Sequence, residues 1–199
     1  MWELFSGNRF MGASVIPVAG HPELKLFEVG RIADDRGFFS ETYNERDYQR
    51  VGLDVCFVQD NHSLSRHRGT LRGLHFQRPP YAQGKLIRVT RGAILDVAVD
   101  MRHGSPTFGQ HVAFEISEEN WRQIYVPEGY AHGFVTLMDD TEVQYKVTDF
   151  YSAEHDAGVN WADPALGIDW KVDAAEIVLS DKDKQHPLLA ELPPYFEFN

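Results

Sequence analysis

From Lys85 to Tyr151 the chain alternates apolar and polar residues in one short segment after another, with glycine or proline punctuating them. Lys85–Thr90, Ala93–Asp100 and His111–Ile116 mix β-branched residues with a period of two, which is the spacing of side chains on one face of a strand. Arg122–Val126 and Gly133–Leu137 flank Pro127-Glu128-Gly129-Tyr130-Ala131-His132, which reads as a tight turn between two strands. Glu142–Tyr151 alternates again. Many short strands separated by turns predict an all-β sandwich or barrel.

Helical periodicity is confined to Glu45–Val51 and to a short turn at Glu118–Trp121, which Ser117 is placed to cap. The last thirty residues, with Asp163-Pro164 shortly before them and His186-Pro187 and Pro193-Pro194 within them, read as an irregular wrap over the barrel. No repeat or linker divides the 199 residues, so residues 16–199 are expected to form one domain, with 1–15 as an N-terminal extension. No stretch approaches the roughly 20 apolar residues of a membrane-spanning helix. The N-terminus lacks the basic start and apolar block of a signal peptide. Cys56 is the only cysteine, which excludes an intrachain disulfide and suits the cytoplasm.

A net charge of −11 argues against non-specific binding to nucleic acid or membrane. Arg66, Arg68, Arg72, Arg78, Lys85, Arg88 and Arg91 nevertheless follow one another with no intervening Asp or Glu. Such a run is either a solvated face or an anion site on one strand pair, and the second reading suits a small phosphorylated ligand.

In a strand, Gly73, His75 and Gln77 share one face while Leu74 and Phe76 take the other. Arg72, His75 and Lys85 can then converge on one cavity. Gly69 to His75 has the Gly-x5-His spacing of the first cupin motif, and Pro127 to His132 fits the Pro-x-Gly-x-x-His of the second. Metal-binding cupins continue His-x-His and add a glutamate, because an open site needs about three protein ligands. Here the position after next is Gln77, so His75 and His132 make an incomplete set. Side chains alone can still move protons next to a ketone. Histidine is the natural base near neutrality, which points to His75. Inversion through a planar enolate needs a donor on the opposite face, for which Tyr145 is the candidate, and Lys85 suits the enolate oxygen. A carboxylate behind the histidine would orient it, but spacing does not select one.

The residues that carry a family resemblance are spread over nearly the whole chain. They include Asp35-Arg-Gly-Phe-Phe-Ser-Glu41, Phe57-Val-Gln-Asp-Asn-His-Ser63, Leu71-Arg-Gly-Leu-His-Phe-Gln77 and Gln83-Gly-Lys-Leu86. Asp96–Asp100, Ser105–Gly109, Val126–Phe134, Tyr145-Lys146, Trp161–Pro164 and Leu179–Asp183 follow in order. In these blocks the chain resembles the dTDP-4-dehydrorhamnose 3,5-epimerases of the cupin superfamily.

The resemblance implies a cupin-type double-stranded β-helix, or jelly-roll barrel, and an epimerase working without cofactor or metal in dTDP-L-rhamnose supply for polysaccharide. It makes His75 the proton-abstracting base, Asp183 its partner, Tyr145 the general acid and Lys85 the lysine beside the sugar ketone. Arg36, Glu41, Gln59, Asn61, Arg72, His132, Asp156 and Lys182 fall on positions that hold the nucleotide sugar, and Tyr151 on the aromatic that stacks on thymine. It also implies a homodimer in which some of these residues serve the neighbouring subunit. Departures from the pattern are His111, Tyr130 and Phe150, and they bear on regiochemistry, since relatives that invert only C3 or only C5 can keep the same acid and base. The rival readings are a metal-dependent cupin isomerase or oxygenase using His75 and His132, and a sugar-nucleotide binding module without catalysis.

Overall fold

The computed structural model describes residues 12–198. Strands β1 (Ala13–Pro17), β2 (Lys25–Val29), β3 (Ile32–Asp34) and β4 (Gly37–Phe39) precede the one α-helix among the described residues, α1 (Glu45–Arg50). Then come β5 (Gln59–Ser65), β6 (Leu71–Gln77), β7 (Lys85–Arg91), β8 (Ala93–Asp100), β9 (Arg102–His103), β10 (His111–Ser117), β11 (Arg122–Val126), β12 (Tyr130–Thr136), β13 (Thr141–Val147), β14 (Asp156–Gly158) and β15 (Phe196–Glu197). Two antiparallel sheets form the barrel, in the orders β1-β2-β11-β7-β13-β5 and β10-β8-β12-β6-β14. This is the expected jelly-roll architecture.

Alternation along the strands sorts side chains into three layers. Leu26, Ile87, Val89, Ile94, Ala98, Ile124, Phe134 and Val143 meet between the sheets. Outside the five-stranded sheet, Leu74, Phe76, Leu95, Val97, Val99 and Val135 are covered by the C-terminal wrap through Leu166 and Trp170. Outside the six-stranded sheet, Phe27, Leu86 and Tyr125 lie under Tyr48 of α1 and Leu53. Strand β8 is therefore buried along its whole length, on both faces. Each such aliphatic removed from water contributes roughly 1.5–3 kcal/mol, which explains why Ala93–Val99 is apolar apart from Asp96.

Several expectations need correction. Tyr130–His132 belongs to β12 and not to the turn before it, so His132 has strand geometry. Glu118–Trp121 is a single turn closed by Trp121 N–H on the Ser117 carbonyl (3.2 Å), and the positive φ of Trp121 (57°) ends it before a helix forms. Ser117 Oγ does accept from Asn120 N–H (3.1 Å). Residues 13–15, expected within the extension, pair with β2, and residues 1–11 lie outside the described residues. The C-terminal wrap is irregular as expected, with three short 3-10 turns at Ala174–Glu176, Asp183–Gln185 and Leu189–Glu191.

Candidate active site

A cavity of about 240 Å³ opens between the two sheets. Strict alternation would put Arg72 and His75 on opposite faces of β6. The pairing with β12 prevents this: His75 lies opposite His132 and Arg72 opposite Phe134, so β6 takes three steps where β12 takes two. The extra residue is a β-bulge, which re-aims side chains on the bulged strand. Two glycines allow the close approach it needs. A Cβ on Gly133 would stand 2.8 Å from the Arg72 carbonyl oxygen and 3.1 Å from Gly73 Cα. Arg72 and His75 thus line one cavity, together with Lys85, His132, Tyr145, Lys182 and Asp183.

Two histidine–carboxylate pairs stand side by side on adjacent strands. His75 Nε2 lies 2.5 Å from Asp183 Oδ1, and Asp183 is buried where the wrap crosses β6, its backbone N–H donating to Ser180 Oγ (3.1 Å). His132 Nε2 lies 2.8 Å from Asp96 Oδ2, both groups buried. Asp96 Oδ1 is buried without a partner among the described residues.

Burial is the main force on the ionisable groups. It lowers the His75 pKa, opposed by the hydrogen bond to Asp183 and assisted by the charge of Lys85. For Asp183 burial acts upward, but the neighbouring His186 and His75 rings and Ser180 outweigh it and hold the carboxyl well below the usual carboxylate range. Burial brings Lys85 down to about 8 against the pull of Asp156 and Asp96. Its Nζ has one hydrogen bond, to the His75 carbonyl oxygen (3.5 Å). Burial also raises Tyr145, so the phenol keeps its proton.

The remaining expected residues lie around this centre or apart from it. Tyr151 Oη donates to Asp156 Oδ2 (3.0 Å), and Asp156 pairs with Lys182. Gln59 Nε2 donates to Asn61 Oδ1 (2.9 Å), and Asn61 is the β5 register partner of Tyr145. Arg36 and Glu41 do not join the group within one chain. Arg36 is exposed on the β3–β4 hairpin, forked onto Asp34, and Glu41 is exposed just beyond it. The basic run divides in the same way. Arg66 and Arg68 face Asp140 and Glu176, and Arg88 donates to Gln144, whereas Arg72 and Lys85 line the cavity with no carboxylate in a salt bridge among the described residues.

Sequence reasoning passed over Asp96 and His186. A carboxylate in the middle of the otherwise apolar run Ala93–Val99 was a readable signal for Asp96. No spacing rule signals His186, which reaches the dyad because the wrap folds back over β6 and β14. Ligand-type atoms of His75, Asp183 and His186 lie within 4.8 Å of one another, a donor set that a divalent transition metal also accepts.

The two cupin-motif histidines on paired strands, and a cavity of ionisable groups between the sheets, define a cupin-type β-barrel enzyme. The family model described as dTDP-4-dehydrorhamnose 3,5-epimerase matches residues 20–191. The Sinorhizobium fredii dTDP-4-dehydrorhamnose 3,5-epimerase is 54% identical over 176 residues, covering 88% of this chain and 90% of that one. The Bacillus anthracis enzyme of the same name, solved with TDP and PPi bound, superposes with a TM-score of 0.85 at 50% identity, covering 89% and 99% of the two chains. The Legionella pneumophila dTDP-6-deoxy-D-glucose-3,5-epimerase, in complex with dTDP-4-keto-L-rhamnose, gives 0.89 at 40% identity, covering 94% and 99%. The chain belongs to the dTDP-4-dehydrorhamnose 3,5-epimerase family.

Proposed function

We propose that this chain converts dTDP-4-dehydro-6-deoxy-D-glucose to dTDP-4-dehydro-L-rhamnose by inverting C3 and C5, as a step in dTDP-L-rhamnose biosynthesis. The observation that carries this reading is that His75, backed by Asp183, and Tyr145 line one cavity, with Lys85 and His132 also in it. His75 Nε2 is engaged by Asp183, so Nδ1, which has no partner among the described residues, is the nitrogen left to take the C5 proton. The electron pair moves onto the ketone oxygen, where Lys85 and His132 stabilise the enolate; removing such a donor costs about 3–4 kcal/mol of barrier. Tyr145 returns a proton from the other face, the ring flips, and C3 follows. One proton leaves and one arrives at each carbon, so nothing is oxidised. The acid–base step contributes roughly 10²–10⁴-fold.

Arg72 and Lys182 serve the pyrophosphate, and Tyr151, exposed at the rim, offers a face to the thymine. Arg36 and Glu41 act on a second copy of the chain in a homodimer. The β3–β4 hairpin supports this, because it pairs with no other strand among the described residues and exposes Ile32, Phe38 and Phe39. An isolated two-stranded hairpin is marginal without further cover. The exposed, unpaired Cys56 fits the cytoplasm. The test is incubation of substrate in deuterated water, followed by proton NMR. His75→Asn is expected to abolish deuterium entry at both carbons, and entry at the wild-type rate would remove His75 from the role of base.

A further inference from the structure

We infer that His186 is a positioning residue for the proton-abstracting dyad, holding Asp183 from the side that His75 does not occupy. This rests on the reading of His75 as the base and adds a third member to that assembly.

The His186 side chain is 9% exposed, and its Nε2 stands 3.5 Å from Asp183 Oδ1, the same oxygen that His75 Nε2 meets at 2.5 Å. His186 Nε2 has no established hydrogen-bond partner among the described residues, although it is fully buried. A buried ring N–H without an acceptor costs about 1–3 kcal/mol, so the carboxylate beside it is the acceptor toward which it closes. The two imidazoles meet edge to face, with centroids 5.3 Å apart and planes at 76°. The backbone is shaped to admit this ring. Gly158 lies opposite His75 in the β14–β6 pairing, and a Cβ there would fall 2.6 Å from both Cε1 and Nε2 of His186. Asn160 N–H holds the Pro187 carbonyl (2.8 Å), and Asn160 Nδ2 the His186 carbonyl (3.4 Å), which anchors the segment carrying the ring.

With only His75 as partner, the Asp183 carboxylate could rotate about its own side chain. A second N–H on the same oxygen removes that freedom and keeps the imidazole of His75 in one orientation and one tautomer, as the buried orienting carboxylate does in other dyads. It also shares the carboxylate charge between two rings, so His75 feels less of it. Lys85 from β7 and Lys182 from the wrap are the other charged groups that act on His75, and neither is altered in the test below.

The test compares full-length His186→Leu and His186→Gln with the unchanged protein. Turnover and exchange at C5 in deuterated water are followed by proton NMR, and the His75 ring is titrated by nitrogen NMR in the absence of substrate. His186→Leu is expected to lower kcat about tenfold, the scale of losing a partner that orients a histidine from behind, with KM little changed. It should also move the His75 midpoint upward, because Asp183 then has one imidazole instead of two. His186→Gln, whose amide nitrogen replaces Nε2, should restore both readouts. An unchanged kcat and an unmoved His75 midpoint in His186→Leu overturn the inference. Should the leucine variant not fold, His186→Asn, too short to reach Asp183, replaces it with the same expected losses. A stoichiometric divalent metal in protein purified without chelator, lost together with activity in both variants, would overturn it in favour of a metal site. Failure of the underlying reading looks different, since His75→Asn would then keep its exchange activity.

Discussion

Desolvation acts on His75 and Lys85 in the same direction and with different consequences. A lowered His75 is still a neutral, competent base at a pH where a free imidazole, at 6.5, is half protonated. A lowered Lys85 is a cation only up to about pH 8 and loses its charge as pH rises through that value. The free enzyme should therefore show a bell-shaped profile of kcat/KM, its acid limb below 6.5 and its alkaline limb near 8. Guanidinium stays charged throughout this range, so whatever activity Lys85→Arg retains should lack the alkaline limb. Persistence of that limb in the variant would assign it to another group.

At the level of strands, period-two alternation was enough to find β7, β8, β10, β11 and β13, because each sets one apolar face between the sheets, with exposed or part-buried residues between those positions in β10 and β13. It was not enough to place Arg72. A bulge is a property of two paired strands, and β6 shows it only against β12. Nor did it show that the turn after Val126 ends at Gly129, since Tyr130 and His132 look like turn residues until their pairing with β8 is known. His75, Tyr145 and Lys85 were legible from the chemistry they can do, whereas Asp183 came only through family resemblance. It joins His75 from 108 positions away in the chain, and no local rule reaches that far. The bulge also yields a prediction. Gly133→Ala forces a methyl against the Arg72 carbonyl and Gly73, and overpacking of this kind costs about 1–3 kcal/mol. A lower Tm with a raised KM, as Arg72 shifts from its place in the cavity, is the expected result. An unchanged Tm would show that β6 and β12 can part without loss.

For the whole molecule, the acidic surface and the cavity-lining Arg72 and Lys85 form one arrangement, a local positive site in a protein of net charge −11. The hairpin stands apart from that site, with Phe38 57% and Phe39 63% exposed. In the proposed homodimer, the second copy on which Arg36 and Glu41 act also covers these rings. Replacing both rings with aspartate should then convert a dimer to a monomer in sedimentation. Turnover should fall with it, while the His75 titration stays as it was. A dimer that survives the double substitution would place the contact elsewhere.

The proposed chemistry rests on two groups working on opposite faces of one sugar ring, and Tyr145→Phe isolates that arrangement. Incubated with dTDP-4-dehydro-6-deoxy-D-glucose in deuterated water and followed by proton NMR, this variant should still exchange the C5 proton through His75 but return deuterium to the same face, leaving the configuration unchanged. Net inversion at C3 and C5 at the wild-type rate would contradict the account.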